Sequence, residues 1–407
     1  MKILTCILLV LHVNALWAQE AVRKTVFIIA DGISRDVIQK VSTPYLDEIA
    51  DQGRFLPAYV GGDADGYSVT PTISAVGYNS LITGTWANKH NVWGNSIVDP
   101  NYHYWTLFRL LKHNNPSLTA AVYSTWLDNR TKLIGEGLQA NNGLLLDDYY
   151  DGLELDTVHY PHSDPTYIQQ IDEKVAREAA NKIRKNGHDL TWVYLQYTDD
   201  MGHAFGDSPE FIESIKVMDR QIGLIWQSVK QRMKDYNEDW LIVVTTDHGR
   251  DAKTGKDHGG QSERERSTWV VTNYKNINSY GHQQVLGVVD IYPSIARFMN
   301  LTIPKAVKME VDGVPFIGPV EASHLKVDKS KTELLLTWKS YGDAGKGKVW
   351  LSTENKYKEG KPDLYLLADE VNLNDEQVAI PIDEIPSSFY KVVLETDHQY
   401  LNYWVQP

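Results

Sequence analysis

The chain has 407 residues, 42% hydrophobic and 23% charged, with a formal net charge of −13 at pH 7. This is globular composition, long enough for one large domain and a smaller one. The acidic groups are spread along the chain and no basic stripe appears, so nucleic-acid duplex binding through the phosphate backbone is not expected.

Residues 1–18 read as a signal peptide. Lys2 is followed by the apolar run 3–11 and by small residues near Ala15 and Ala18. That run is shorter than the roughly 20 residues needed to cross a bilayer. The expectation is an exported protein, periplasmic or extracellular, whose mature chain starts near Gln19 and carries no transmembrane segment. Cys6, the single cysteine, falls inside this leader. The mature chain would then have neither disulfides nor thiolate metal sites.

Three continuous apolar runs follow: residues 25–30 (TVFIIA), 190–197 (LTWVYLQY) and 240–245 (WLIVVT). Without polar alternation, such runs predict strands buried on both faces of a sheet. Helical patterns lie between them, at residues 43–50, 172–184 and 209–234, the last with Ile212, Ile215, Met218, Ile222 and Ile225 at helical spacing. Another follows at 288–298. Strands alternating with helices predict an α/β layered domain over residues 19–320 with a mostly parallel central sheet. Beyond residues 319–331 the texture changes. Residues 332–338, 348–352, 363–367, 376–380 and 390–395 read as short strands split by Gly, Pro, Asn and Lys. They predict a small all-β, sandwich-like accessory domain over residues 330–407.

Each long strand ends on chemistry. The first stops at Asp31-Gly32, the second at Asp199-Asp200-Met201-Gly202-His203, the third at Asp247-His248-Gly249, and His258-Gly259 follows on a glycine-rich loop. In an open α/β sheet, ligands bind outside the carboxyl ends of the strands. One Asp at a strand end is often only a helix cap; three such endings beside glycine point to a metal centre. Carboxylates with imidazoles suit zinc, or manganese and magnesium with less preference. Six ligands suffice for two divalent ions with positions left for substrate. An acidic protein that handles anionic phosphate needs such local positive charge. Residues 74–84 (SAVGYNSLITG) read as a loop entering a helix, with Ser74 at its start. A hydroxyl there, beside metal ions, is placed to ionise and attack. The position also suits an ordinary N-cap, and Thr70 and Thr72 lie close by.

Taken together, Asp31-Gly32, the hydroxyl ten residues before Gly84, the Asp199/His203 pair, Asp247-His248-Gly249 and His258-Gly259 resemble the alkaline phosphatase superfamily, and within it the type I phosphodiesterase/nucleotide pyrophosphatase branch. The resemblance covers residues 25–318. It implies an alkaline phosphatase-like fold and a two-metal hydrolase of small-molecule phosphate esters, acting on phosphodiester or nucleotide pyrophosphate bonds. It implies one metal on Asp199, His203 and His258, with His282 the runner-up for the last, and another on Asp31, Asp247 and His248. Ser74 would bind the second metal as alkoxide and form a covalent phosphoseryl intermediate. Asn95 matches a family asparagine that donates to a non-bridging phosphoryl oxygen. Arg130 and Lys132 look like the paired basic residues of phosphonoacetate hydrolases, where they would bind substrate. Ser stands where the family usually has Thr, and the Phe-Pro-Asn-His sequence that usually follows in the diesterases is missing, which leaves phosphomonoester and phosphonoacetate-type activities as alternatives. A sulfatase is set aside because Ser74-Ala75-Val76-Gly77-Tyr78 lacks the Pro and Arg of the sulfatase motif. A dead binding module is least expected, since all six ligands and the hydroxyl are intact.

Overall fold

The structure, a computed structural model, describes residues 20–406. The expected signal peptide therefore lies outside the described residues.

Eight strands form the central sheet: β1 (Val22–Ala30), β2 (Arg54–Tyr59), β3 (Ala120–Ser124), β4 (Asp148–Tyr150), β5 (Leu190–Leu195), β6 (Glu238–Thr245), β7 (Ser267–Thr272) and β8 (Leu286–Gly287). Their order is β4-β3-β5-β1-β6-β7-β2-β8. Neighbours run parallel except where β7 pairs antiparallel with both β6 and β2. Parallel neighbours need a crossover, usually a helix. Between β6 and β7 the chain makes one short helical turn, Glu263–Arg266, and comes straight back, so β7 is reversed. The three apolar runs become β5, β1 and β6, side by side at the centre. The second run stops as a strand at Leu195, two residues earlier than its apolar character predicts. There Asp172 accepts hydrogen bonds from the Gln196 and Tyr197 amides and starts the helix Tyr197–Phe205.

Side chains alternate between two cores. On one face Phe27, Ile29, Trp192, Leu241 and Val243 pack beneath the helices Ser74–Thr83, Leu107–Asn114 and Ile291–Phe298. On the other, Val26, Ile28, Val193, Ile242 and Val244 meet the helices Pro44–Gln52, Tyr167–Lys185 and Pro209–Asp235. Each large side chain so buried contributes about 1.5–3 kcal/mol. Phe27 and Trp192, partners across β1 and β5, stack at 5.8 Å between centroids.

Past Pro319 the chain builds two antiparallel sheets. One orders β13 (Gln377–Pro381), β10 (Glu333–Ser340) and β9 (Ala322–Lys329); the other orders β12 (Leu366–Asn372), β11 (Lys346–Ser352), β14 (Tyr390–Glu395) and β15 (Tyr400–Val405). Their apolar faces, including Leu334, Leu336, Val349, Val392 and Leu394, join the first core without a break. Two buried lysines tie these sheets to the α/β body. Lys89 Nζ reaches Asp312 Oδ1 at 2.6 Å, the Glu310 carbonyl at 2.8 Å and Asn402 Oδ1 on β15. Lys391 on β14 reaches Glu310 Oε1 at 2.6 Å and Asp363 Oδ2 at 2.7 Å. Among the described residues no helix is long and apolar enough to cross a membrane.

Removing one partner of a buried ion pair leaves the other charge uncompensated, at a cost of about 3–5 kcal/mol. The Lys89 side chain is fully buried against Asp312. Lys89→Ala should therefore lower unfolding free energy by about that amount in a urea titration; a change below 1 kcal/mol would show that the pair holds nothing together.

Candidate metal centre and hydroxyl cleft

Three central elements carry their polar ends to one edge. Asp31 closes β1 and Asp247 follows β6 by two residues, and the Gly32 amide donates to Asp247 Oδ1 at 3.1 Å. His248 Nε2 lies 3.3 Å from Asp31 Oδ1 and 3.3 Å from Asp247 Oδ2. Its Nδ1 donates to the Gly249 carbonyl at 2.9 Å, which leaves the Nε2 lone pair turned to the carboxylates. Asp199 and His203 sit four residues apart on one face of the helix Tyr197–Phe205, with Nε2 and Oδ2 3.2 Å apart. His258 arrives from the glycine loop. Its Nδ1 donates to the Thr72 carbonyl at 2.9 Å, and its Nε2 lies 3.1 Å from His203 Nε2. The His248 and His258 rings stack at 3.6 Å.

The sequence-derived candidates thus fall into two trios, Asp31/Asp247/His248 and Asp199/His203/His258, in each of which the donor atoms lie within 4.8 Å of one another. The donor chemistry fits a bound cation. Asp31 Oδ1 and Asp247 Oδ2 are buried and have no hydrogen-bond partner. Burial first, and the Asp31 charge second, push the Asp247 carboxyl well above its usual range. Burial next to His248 lowers the His258 imidazole to about 4, so it is a neutral ligand at neutral pH. His203 is raised by its hydrogen bond to Asp199.

Ser74 opens the buried helix Ser74–Thr83 and its Oγ lies 3.3 Å from His248 Nε2. Gly77 allows that helix so close: a Cβ there would stand 2.7 Å from the Asp247 carbonyl oxygen. The neighbouring hydroxyls are otherwise engaged. Thr70 Oγ1 donates to the Ser68 carbonyl, and Thr72 Oγ1 clamps the His258 loop through the Gly259 amide and the Gly260 carbonyl. Asn95 Oδ1 accepts from the Ala75 amide at 3.0 Å. Ser74, Asn95, Asp31 and Asp199 share a cleft of about 410 Å³ whose far wall includes Trp126, Glu154 and Tyr167.

Other candidates lie apart from this cleft. Arg130 is held by Asp151 at 2.6 Å and Glu136 at 2.6 Å, with Tyr149 under its guanidinium, and Lys132 pairs with Asp128 at 2.8 Å. Neither lines the cleft, and His282 sits on the separate helix Ser279–Gln283. Residues 147–162 supply Glu154, Leu155 and His162 to the cleft; the aromatic loop at residues 61–67 does not reach it.

Three residues escaped the sequence reading. Tyr78 and Tyr194 both donate to Asp31 Oδ2, Tyr194 at 2.7 Å. Tyr78 lies one helical turn after Ser74, which is the signal that could have found it. Arg250 is wholly buried. It donates to the Gly32 carbonyl at 2.8 Å, the Asp199 carbonyl at 2.8 Å and the Lys256 carbonyl at 3.0 Å, and also pairs with Asp199 Oδ1. One guanidinium thus fastens the three segments that carry Asp31, Asp199 and His258. Gly202 makes room for it, since a Cβ there would meet Arg250 Cζ at 2.1 Å. Against the opposing pull of burial, the His203 hydrogen bond and the Arg250 charge hold Asp199 well below the usual carboxylate range.

The sequence profile of the family described as type I phosphodiesterase / nucleotide pyrophosphatase matches residues 25–370. An uncharacterized pyrophosphatase/phosphodiesterase of Schizosaccharomyces pombe is 23% identical over 305 residues, 70% of this chain and 57% of that protein. The chain spans about half or less of the length of several curated relatives it matches. Among solved structures, human ectonucleotide pyrophosphatase/phosphodiesterase 5 has a TM-score of 0.50 at 14% identity, over 73% of this chain and 97% of its own. The alkaline phosphatase PafA, in a mutant form, has a TM-score of 0.52 at 11% identity, over 73% and 98%. These two likenesses are of fold.

Loss of a group that orients ligands costs about 10–100-fold in metal affinity. Arg250→Ala should weaken zinc binding by that factor in a calorimetric titration, and Arg250→Lys, which keeps one cation but not the fork, should fall between. Unchanged zinc affinity in a folded Arg250→Ala protein would remove Arg250 from this role.

Proposed function

The chain belongs to the type I phosphodiesterase / nucleotide pyrophosphatase family, and from that premise we propose that it is a hydrolase of phosphoesters, cleaving phosphodiester or pyrophosphate bonds with Ser74 as nucleophile and two divalent cations, zinc favoured, as cofactors. The observation that carries this reading is the 3.3 Å approach of Ser74 Oγ to His248 Nε2, the atom that also touches the carboxylates of Asp31 and Asp247 and lies 4.0 Å from Asp199.

Cations held by the two trios would lower the pKa of the Ser74 hydroxyl and offset charge in the transition state. Ser74 heads a helix whose free N–H groups also favour negative charge there. Its deprotonated Oγ attacks phosphorus in line. The bond to the leaving oxygen breaks with its electron pair, and a phosphoseryl ester remains. Water then attacks the same phosphorus, and Ser74 Oγ leaves and regains a proton. Because the Ala75 amide fixes Asn95 Oδ1, the Asn95 amide NH₂ is left to donate to a non-bridging oxygen.

The cleft favours a diester over a monoester. No Lys or Arg is among the residues that line it. A monoester brings a second negative charge that, apart from the cations, no basic side chain of the lining would meet, and a diester does not. Export is supported by the leader-like run at residues 1–18.

Ser74→Ala should lower turnover of bis(p-nitrophenyl) phosphate by at least about 10⁴-fold, and Asn95→Ala by about 10²-fold. Thr70→Ala should stay near the parent. Near-normal turnover by a zinc-loaded Ser74→Ala protein would reject the nucleophile, and faster cleavage of p-nitrophenyl phosphate than of the diester would reject the substrate class. N-terminal sequencing of the exported protein should begin near Gln19; a retained Met1 would exclude removal of the leader.

A further inference from the structure

A second cavity, of about 530 Å³, lies where the α/β body meets the C-terminal sheets, with no residue in common with the phosphoester cleft. The 61–67 loop forms one side of it, and β9 and β15 form the other.

Strand β9 is bent to serve this cavity. Its register against β10 shifts between Thr337 and Lys339, so that His324 and Leu325 together oppose Trp338. His324 is the residue that absorbs the bulge, with φ of 56°, a left-handed conformation that costs a non-glycine residue on the order of 1 kcal/mol. In a regular strand consecutive side chains point to opposite faces. Beyond the bulge that alternation resumes, so His324 and Lys326 stand exposed at the cavity while Leu325 between them is buried in the core, and all three residues border the cavity. Strain kept at a bulge beside a cavity is a mark of a binding surface.

The groups offered there are unspent. The phenol oxygens of Tyr59 and Tyr403, the Asp63 carboxylate, the Lys326 ammonium and His324 Nε2 have no hydrogen-bond partner among the described residues, though all five residues line the cavity. Tyr67 and Tyr403 pack edge to face at 4.8 Å and supply an aromatic wall. Charge narrows the ligand. Arg266 is consumed by the Gly61 and Gly62 carbonyls and Gln261. Asp312, also lining the cavity, is paired with Lys89. Counted over the lining, the cations Arg266 and Lys326 are balanced by the carboxylates Asp63 and Asp312, so nothing here selects an anion such as a phosphate or sulfate group. Aromatic faces with several convergent donors and acceptors and no net charge suit a polyhydroxylated neutral ligand.

We propose that this cavity is a saccharide-binding site, taking a neutral oligosaccharide between the 61–67 loop and the bulged edge of β9. It goes beyond the phosphoesterase reading and does not depend on it. The full-length chain is applied to a microarray of neutral and sulfated oligosaccharides, and the best-retained neutral hexasaccharide is then titrated calorimetrically. Binding to neutral glycans is expected, undiminished by Ser74→Ala. Tyr403→Ala and Lys326→Ala should each weaken it at least tenfold; Lys326 is exposed, so its loss should leave the fold intact. His324→Gly should bind less while unfolding at a temperature equal to or above that of the parent, because glycine relieves the left-handed strain. Retention of no glycan, retention of sulfated glycans alone, or affinity that survives both Tyr403→Ala and Lys326→Ala would overturn the proposal.

Discussion

Three carboxylates forced together at one edge of a sheet govern this structure. Asp31, Asp199 and Asp247 are all buried, and His248 Nε2 lies within 4.0 Å of an oxygen of each. Like charges so close, out of water, oppose folding unless protons or cations accompany them. Arg250 answers one, through Asp199 Oδ1. Tyr78 and Tyr194 satisfy Asp31 Oδ2 by hydrogen bonds without adding charge. What remains are two buried, unpartnered oxygens and a set of imidazoles with their free nitrogens turned inward. The surrounding architecture serves to hold that unfavourable cluster in place, from the Gly77 contact to the Thr72 clamp.

The central sheet was legible because a strand covered on both faces must be apolar throughout, and residues 25–30, 190–195 and 240–245 are. The donors were legible because Asp and His beside glycine at strand ends have few other reasons to recur. Arg250 was not, since its partners at Gly32, Asp199 and Lys256 come from three segments that only the folded sheet brings together. Nor was the reversal of β7, which depends on the lack of a crossover helix rather than on its own residues. The strand β9 went unread although residues 324–328 alternate polar and apolar side chains, because it lies within residues 319–331, where the change of texture read as a boundary. The aromatic loop at residues 61–67 gave no signal of the cavity it faces, since the β9 and β15 residues across from it lie more than 250 residues on.

The two C-terminal sheets are more than an appendage. Their apolar faces extend a core that begins on the central sheet, and Lys89 and Lys391 cross the junction with nearly every donor satisfied. Such a junction resists hinge motion, because sliding it would strand buried charges.

The central position of β1 constrains how the protein comes into being. Thr25 pairs with Leu190, and Val22 with Glu238, so β1 finds its neighbours only after some 165 to 215 further residues have been made. Closing such distant contacts is entropically slow and leaves apolar edges exposed meanwhile. The strand β1 is synthesised before both of its neighbours and seated late, so its apolar faces wait for their cover.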